Sequence, residues 1–297
     1  MDQISTGDSY QTPEGIPPRA TEYLLLGSRW SPYFSFFGVV LRSRALAVAG
    51  LYDDEAWFQS SLDIVRGLES CRARFLIDGL DNIRRLTGPA VFVSNHMSTL
   101  ETVILPALIC PIQPTTFVVK RSLVTGKIWG PIMRSRDPIV VGRVDPKADL
   151  EAVLGEGTRI LGAGRSVVVF PQGTRTAVFD PAKFNSIGVK LAARAGVPVI
   201  PVAVKTDYWG NSKILRGFGP VRRDKPIHVS FGPIVPVQGA GKSAQTQVLN
   251  YIEGKLREWG APILPRAVPI EARAVPLAAQ PEAVEARAAR PEASDRS

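Results

Sequence analysis

Short apolar runs alternate with longer stretches of helical periodicity through the middle of the chain. The apolar runs are five to eight residues long and occupy residues 90–94, 115–119, 138–142, 166–170 and 197–204. The helical stretches between them lie near residues 97–109, 121–134, 146–163 and 186–195. Strands that alternate with helices of this length are typical of α/β proteins with parallel strands. The pattern therefore predicts an α/β fold whose largely parallel central sheet is flanked by helices.

The same pattern sets the limits of this α/β domain. A strand is predicted over residues 72–78, a later strand over 227–231, and a closing helix near 243–259, so that the domain spans residues 71–260. Two prolines, Pro198 and Pro201, interrupt the run at 197–204. Proline within a strand is typical of edge or irregular positions, which predicts such a place and a structural role for this run.

Three flanking segments differ from the domain in composition. Residues 1–20 are polar and rich in proline and glycine, which predicts a loose leader, and residues 21–70 show helical patterning. Residues 261–297 consist largely of alanine, proline, arginine and glutamate, contain no aromatic residue and carry equal numbers of basic and acidic side chains. Such a composition predicts a disordered tail and leaves the net charge of +9 to residues 1–260.

The N-terminal helical segment contains about ten apolar or small residues, Pro32 to Leu41, between Arg29 and Arg42. A membrane-spanning helix needs about 20 such residues, so this run is too short to cross a bilayer. Aromatic residues beside arginines favour an interfacial, monotopic anchor, and the alternative is an ordinary core helix. The first residues show no basic region followed by an apolar run, so we expect no cleaved signal peptide.

Composition narrows the classes of partner. The chain has 297 residues, 45% of them hydrophobic, and a sequence pI of about 9.8. A basic protein of this size suits a phosphate-bearing substrate, an anionic membrane surface or nucleic acid. It has only two histidines, and its two cysteines, Cys71 and Cys110, form no CxxC pair, so we expect no metal site and a reducing compartment. No RNA-binding motif or basic stripe with interleaved aromatics is present, which argues against nucleic acid.

One of the two histidines, His96, stands five residues before Glu101. On a continuous helix this separation places the side chains about 140° apart, so they meet only if His96 precedes the helix and Glu101 lies near its start. A histidine held by a carboxylate can accept a proton from a hydroxyl near neutral pH. Taken alone, the pair is more often a loop histidine beside a solvated glutamate.

A second loop and two further basic residues follow other predicted strands. Phe170–Arg175 follows the run at 166–170, and loops at the carboxyl ends of parallel strands form the ligand crevice of α/β folds. Within it, Gly173 permits close approach of the backbone to a ligand, and Arg175 offers a planar fork for phosphate oxygens. Lys120 and Arg143 end two other strands and would lie near the same crevice; the alternative is that all three cations are solvated.

Together these elements resemble the glycerolipid acyltransferase family, which includes the 1-acylglycerol-3-phosphate acyltransferases. Its NHx4D, basic, FPEGTR and VPxxPVA motifs correspond in order to Asn95–Glu101, Lys120–Arg143, Phe170–Arg175 and Val197–Ala203, and the resemblance covers roughly residues 72–232. It implies an enzyme in which His96 is the general base and Glu101 orients the imidazole. It also implies that the acceptor phosphate is bound by Arg143 and Arg175, with Lys120 as a helper, and that Gly173 and Thr174 shape the loop.

The implied reaction moves a fatty acyl group from an acyl thioester to the free hydroxyl of lysophosphatidic acid, giving phosphatidic acid in phospholipid synthesis. The donor is acyl-CoA or acyl-carrier protein, and no bound cofactor, metal or acyl-enzyme is implied. The partners would be this donor, a lysophospholipid acceptor and a phospholipid surface. The protein would then lie on the cytoplasmic face of a membrane as a peripheral or monotopic protein.

Two residues depart from the family motifs. Glu101 replaces an aspartate, and Gln172 replaces the glutamate of FPEGTR. Because Gln172 would line the headgroup site, the alternatives are the same chemistry on glycerol 3-phosphate, another lysophospholipid or a phosphate-free lysolipid. A basic lipid-binding protein without catalysis is a further alternative.

Overall fold

A computed structural model describes residues 7–18, 28, 30–210, 217–219 and 221–266. Among them, eight strands form one sheet: β1 (Tyr10–Gln11), β2 (Phe75–Asp78), β3 (Val91–Ser94), β4 (Thr115–Lys120), β5 (Ile139–Val141), β6 (Ser166–Val169), β7 (Val199–Lys205) and β8 (Ile227–Phe231). The α-helices are α1 (Ser31–Val48), α2 (Asp54–Glu69), α3 (Leu80–Arg84), α4 (Leu100–Ile109), α5 (Arg121–Thr125), α6 (Trp129–Arg134), α7 (Pro146–Gly162), α8 (Ile187–Ala195) and α9 (Lys242–Glu258). A short 3₁₀ helix covers Pro181–Lys183.

The strands run in the order β1, β2, β8, β7, β3, β6, β4, β5. Neighbouring strands from β7 to β5 are all parallel, as are β2 and β8, whereas β7–β8 and β1–β2 are antiparallel pairs. The predicted α/β fold with a largely parallel sheet is therefore confirmed. The carboxyl ends of β7, β3, β6, β4 and β5 all meet at one edge of the sheet.

Alternating side chains of the strands supply two hydrophobic layers. On β3, Phe92 faces a cluster that contains α1, α2 and α4, whereas Val91 and Val93 face a cluster that contains α7, α8 and α9. This is why the central strands read as unbroken apolar runs: both faces of the sheet are covered. Gly188 on α8 lies so close to β3 that an added Cβ would come within 2.6 Å of a Val93 methyl carbon.

Five expectations need correction. The run with two prolines is β7 from Val199 onward, so that Pro198 precedes the strand and Pro201 lies in it. This strand lies between β8 and β3 in the middle of the sheet rather than at an edge. Proline has no backbone N–H to donate, and Pro201 is tolerated there because pairing with β8 begins only at Val202. The carbonyl of Pro201 is still satisfied, since it accepts from Gly232 N just after β8. The helical stretch at 121–134 is two short helices, α5 and α6, and the helical segment at 21–70 is divided between α1 and α2.

The leader and the tail are the other two corrections, as far as they are described. Tyr10 is buried in strand β1, which pairs with β2, so this part of the expected loose leader is held on the sheet. At the start of the expected tail, Ile263 bridges to Phe179, and Arg266 pairs with Glu253. The expected disorder over residues 267–297 lies outside the described residues.

Candidate active site

The loops after β3 and β6 lie side by side, because these two strands are neighbours in the sheet. The loop after β3 carries His96 and leads into α4, which begins at Leu100. Glu101 is thus the second residue of that helix, and His96 lies in the loop before it. Only this arrangement allows residues five positions apart to meet, and the imidazole Nδ1 of His96 lies 2.8 Å from Glu101 Oε1.

The carboxylate of Glu101 is fully buried and accepts several hydrogen bonds. Oε1 accepts from the backbone N–H groups of Met97 at 2.6 Å and Ser98 at 2.8 Å, and Oε2 accepts from the hydroxyls of Ser98 at 2.9 Å and Thr206 at 2.7 Å. Burial by itself raises the pKa of the Glu101 carboxyl, but the hydrogen bond and charge interaction with His96 and the Thr206 hydroxyl outweigh it and lower the pKa. Glu101 is therefore held as a carboxylate behind the imidazole.

The imidazole is held from a second side by the loop after β6. The His96 ring stacks on Phe170, with ring centroids 4.4 Å apart, and Phe170 in turn stacks on Phe117 of β4. The side chain of His96 keeps 13% of its surface exposed. Its Nε2 makes no hydrogen bond to any residue within the described parts of the chain. The ring is thus fixed in orientation while one nitrogen remains available.

Gln172 joins the two loops. Its Oε1 accepts from His96 N at 2.7 Å, its Nε2 donates to Thr176 Oγ1 at 2.8 Å, and Thr176 N donates to His96 O at 2.9 Å. Both polar ends of the side chain are therefore engaged within the protein. A glutamate could make the same link, because its oxygen would accept from His96 N while the Thr176 hydroxyl reversed to become the donor.

Three polar residues that support the site were not assigned a role from the sequence. Asn95 accepts from Val204 N and donates to Val204 O, both at 2.8 Å, and so ties the loop that carries His96 to β7. Ser98 and Thr206 bind the Glu101 carboxylate. Ser98 could have been found from its position three residues before Glu101, which is a helix-start pattern. Thr206, 105 residues from Glu101, has no local signal.

Arg143 and Arg175, from the loops after β5 and β6, lie near enough for their charges to interact. Arg175 Nη1 donates to Thr99 Oγ1, which places the guanidinium at the start of α4. Arg143 follows β5, with φ of 60°, and its backbone N donates to Asp149 Oδ2 at 2.8 Å. Burial lowers the pKa of Arg143, Asp149 opposes this, and the nearby charge of Arg175 lowers it further. Two cations whose charges act on each other favour an anion between them.

The structure brings the other predicted residues to the same edge, with different degrees of contact. Gly173 has φ of +67°, a conformation that favours glycine, and an added Cβ would meet no atom within 4 Å. Gly173 is thus needed for the turn rather than for space. Thr174 is exposed in the same turn, and Lys120 is exposed at the end of β4, two strands from β3.

Comparison with known proteins gives a consistent result. A family model described as "Acyltransferase" matches residues 74–205. The chain is 30% identical over 247 residues to a 1-acyl-sn-glycerol-3-phosphate acyltransferase of Pseudomonas aeruginosa, which covers 82% of this chain and 90% of that protein. It is 31% identical over 179 residues to a chloroplastic enzyme of the same name from Arabidopsis thaliana, covering 58% of this chain and 49% of the plant protein.

A solved structure shares the fold. The crystal structure of the 1-acyl-sn-glycerophosphate acyltransferase PlsC from Thermotoga maritima matches with a TM-score of 0.58 and 22% identity, over 80% of this chain and 96% of the other. The Pseudomonas relative, at 30% identity over 82% of this chain, shows the family as well as the fold. The chain belongs to the acyltransferase family that contains the 1-acyl-sn-glycerol-3-phosphate acyltransferases.

Proposed function

We propose that this protein is an O-acyltransferase that moves a fatty acyl group from an acyl thioester to the free hydroxyl of lysophosphatidic acid, which yields phosphatidic acid. The observation that carries the proposal is the His96–Glu101 pair at the carboxyl edge of the sheet. The names of the Pseudomonas and Arabidopsis relatives support the choice of acceptor.

The geometry supports direct transfer by general base catalysis. A carboxylate only accepts hydrogen bonds, so Nδ1 of His96 carries the proton toward Glu101 and Nε2 keeps its lone pair. Nε2 takes the proton of the acceptor hydroxyl as its oxygen attacks the thioester carbonyl. When the tetrahedral intermediate collapses, the C–S bond breaks and the imidazolium returns the proton to the departing thiolate. Glu101 stabilises the transient positive charge, and the products are the ester and a free thiol.

Arg143 and Arg175 are suited to the acceptor phosphate. A phosphate monoester carries nearly two negative charges at neutral pH, and planar guanidinium groups bind its oxygens in pairs. Because Gln172 is engaged by His96 N and Thr176, its replacement of a glutamate does not alter this pair of cations. This supports lysophosphatidic acid over a phosphate-free acceptor, with Lys120 as a more distant helper.

The test is a thioester assay with a panel of acceptors. Purified wild type and His96→Ala are compared for thiol release and phosphatidic acid formation, and loss of the base should reduce kcat by about 1,000-fold. Full activity of His96→Ala would contradict the mechanism. Use of acyl-CoA and acyl-carrier protein as alternative donors in the same assay decides between them.

The acceptor site is tested with Arg175→Ala and the matched control Arg257→Ala, which alters an exposed arginine on α9. Arg175→Ala should raise KM for lysophosphatidic acid and for glycerol 3-phosphate by about 10- to 100-fold, the loss expected for charge-assisted hydrogen bonds. For monoacylglycerol, which lacks the phosphate, KM should be the same in Arg175→Ala as in wild type. Equal losses for all three acceptors would contradict a phosphate role for Arg175.

We further propose that α1 presents a membrane-binding face. Its members are large hydrophobic side chains that remain exposed on α1, at its ends and on the neighbouring α5–α6 segment: Trp30, Phe34, Phe37, Leu41, Val48, Leu51, Leu123 and Ile128. The steps of four, three and four from Trp30 to Leu41 keep these side chains on one side of the helix. Among the described residues, no helix is both long and apolar enough to cross a bilayer.

The opposite side of α1 is buried in the protein. Tyr33 and Phe36 pack against Trp209, with ring centroids 4.7 Å and 5.0 Å apart. One side of α1 is therefore packed on the protein while the other side exposes an apolar row. With the exposed Arg42 and Arg121 nearby in the sequence, such a row suits an interfacial position on anionic lipid. The row supports peripheral or monotopic attachment as the proposed location, and the cytoplasmic face remains what the family resemblance implies.

Substitution of the exposed row tests this face, because deletion of α1 would also remove core residues. The double variant Phe34→Ser, Leu41→Ser should lose binding to phosphatidylethanolamine–phosphatidylglycerol vesicles by at least about 10-fold in a sedimentation assay, given the apolar area removed. Val178→Ser with Leu264→Ser removes two exposed hydrophobic side chains elsewhere and should bind normally. Unchanged vesicle binding of the α1 variant would contradict the proposal.

A further inference from the structure

Thr206 approaches the catalytic pair from a distant part of the chain. It follows β7, is fully buried, and its hydroxyl lies 2.7 Å from Glu101 Oε2. Its backbone N also donates to the sulfur of Met97 at 3.4 Å. Thr206 is thus held in place by the same loop that carries His96.

The direction of the Thr206 hydroxyl can be assigned, because its contact with Ser98 has the geometry of a hydrogen bond in which Ser98 is the donor. The hydroxyl of Ser98 lies 2.9 Å from Glu101 Oε2 and 2.8 Å from Thr206 Oγ1, and it has one proton to donate. If Ser98 donates to Glu101, then Thr206 donates to the same oxygen. If Ser98 donates to Thr206, then Thr206 passes on a hydrogen bond to Glu101. In both arrangements the Thr206 hydroxyl is a donor to Oε2.

We propose that Thr206 is a positioning residue for acyl transfer, whose hydroxyl holds the outer oxygen of Glu101 and thereby keeps the inner oxygen on His96 Nδ1. The inference rests on the proposed function. A carboxyl group turns easily about its last single bond, so an oxygen on one side is fixed only if its twin is also held. Within the loop, Oε1 is held by N–H groups, and Oε2 lies 3.1 Å from Ser98 N and 2.9 Å from Ser98 Oγ. Thr206 adds a shorter hydrogen bond to Oε2, at 2.7 Å, from outside the loop.

The longer side chain of Glu101 fits this role. Glutamate extends one methylene further than the aspartate of the family motif, and its carboxylate reaches both His96 and the end of β7. The glutamate at position 101 is therefore long enough to bind the threonine at position 206 while it also binds His96.

Removal of this donor has a predictable electrostatic consequence. The titratable group that faces Glu101 is His96. A hydrogen-bond donor beside the pair opposes protonation of the pair, wherever the proton resides. Without the Thr206 hydroxyl, the pair binds its proton more readily, and the acidic limb of the kcat–pH profile moves to higher pH.

The experiment uses the full-length protein with Thr206→Val, which keeps the shape and removes the hydroxyl, and Thr206→Ser, which keeps the hydroxyl. Thr206→Val should lower kcat by about 10-fold with KM for lysophosphatidic acid unchanged, as expected for one lost hydrogen bond to a charged group. Thr206→Ser should restore kcat to within about 2-fold of wild type. If valine prevents folding, Thr206→Ala should show the same shift in pH profile.

Thr116→Val is the matched control. Thr116 is also fully buried, and its hydroxyl donates to Arg136 O at 2.8 Å, away from the pair. Its loss should lower stability without moving the kcat–pH profile. An equal shift in Thr116→Val, or wild-type kcat and pH profile in Thr206→Val, would overturn the inference, as would a serine variant as impaired as the valine variant.

A second readout does not depend on activity. The chain has two histidines, and burial, aided by Lys205, lowers the pKa of His228 to about 4, so its imidazole signals serve as a reference above that pH. Proton NMR of substrate-free protein should show changed His96 ring signals in Thr206→Val and unchanged ones in Thr116→Val, because loss of the Thr206 hydroxyl alters the carboxylate that binds Nδ1. If wild type transferred no acyl group, the proposed function would fail while these ring signals still tested Thr206.

Discussion

The extra methylene of Glu101 is accommodated by the start of α4. As the second residue of that helix, Glu101 folds back over the preceding loop and accepts from Met97 N and Ser98 N, in the manner of an acidic residue near a helix N-terminus. The same side chain still reaches His96. The departure from the family aspartate is therefore a different way of holding the imidazole and leaves its charge in place.

Shortening this side chain should impair catalysis. In Glu101→Asp the carboxylate recedes by about 1.5 Å, one C–C bond, so it cannot keep both His96 and Thr206. We expect kcat to fall by about 10- to 100-fold, the effect of one or two lost charge-assisted hydrogen bonds. The thioester assay measures it, with Glu55→Asp at an exposed position of α2 as the control. A variant with wild-type kcat would show that the longer side chain is not required.

At the scale of elements, the loop that carries His96 follows β3 and is bound to the end of β7. The strands pair in parallel from Val91 to Ser94, and the side chain of Asn95 continues the pairing by bonding both backbone groups of Val204. A side chain takes the place of backbone pairing because the chain must leave β3 here to form the loop. The central place of β7 thus explains why a proline-containing run supports the site.

Replacement of Asn95 should destabilise the protein. Asn95→Ala leaves the N–H and C=O of the buried Val204 without their bonds, at a cost of about 1–3 kcal/mol for each group. We expect the free energy of unfolding in urea to fall by roughly 2–4 kcal/mol, whereas Asn250→Ala, at an exposed position, should change it by less than about 0.5 kcal/mol. A fully stable Asn95→Ala protein would rule out this role.

For the whole molecule, Asp54 connects the N-terminal helices to the α/β body. Its Oδ1 lies 2.6 Å from Arg136 Nη1 and 2.7 Å from Arg165 Nη2. Arg136 is buried between the rings of Tyr52 and Trp57, each 5.6 Å from the guanidinium carbon. The start of α2 is thereby tied to the segment after α6 and to the residue before β6.

Loss of this link should lower stability more than loss of a surface pair. Asp54→Asn leaves the charge of Arg136 buried without its carboxylate and should reduce the free energy of unfolding by roughly 2 kcal/mol. Asp63→Asn breaks an exposed ion pair with Arg42 and should cost less than about 1 kcal/mol. Equal effects of the two variants in urea denaturation would contradict the distinction.

His228 makes the stability of the molecule depend on pH. It stacks on Trp259, and burial, with a contribution from the charge of Lys205, lowers its pKa from the usual 6.5 to about 4. Between these values the unfolded chain binds a proton that the folded protein does not, so stability is full above pH 6.5 and falls as the pH drops toward 4.

The corresponding variant is His228→Gln, which cannot titrate. Between about pH 7.5 and pH 5, wild type should lose roughly 1 kcal/mol more stability than the variant, after allowance for partial exposure of the ring. Urea denaturation at the two pH values measures the difference. Parallel losses in the two proteins would exclude His228 as the source.

The sequence by itself determined the α/β class and most of the helices and strands, because periodicity and turn residues act over a few neighbours. It also indicated that His96, Gly173 and Arg175 share one edge of the sheet, since they follow parallel strands, and the motifs identified the family. The expected pairing of His96 with Glu101 depended only on where α4 begins.

Only the tertiary structure decided which distant residues complete the site. The order of the strands placed β7 beside β3, and this order brought Val204 and Thr206 to Asn95 and Glu101. Likewise, Gln172 is bound by His96 N and Thr176 rather than free for a headgroup, and Tyr10 joins the sheet. Such contacts span many residues and depend on strand order and burial, which local patterns of hydrophobic and polar residues do not encode.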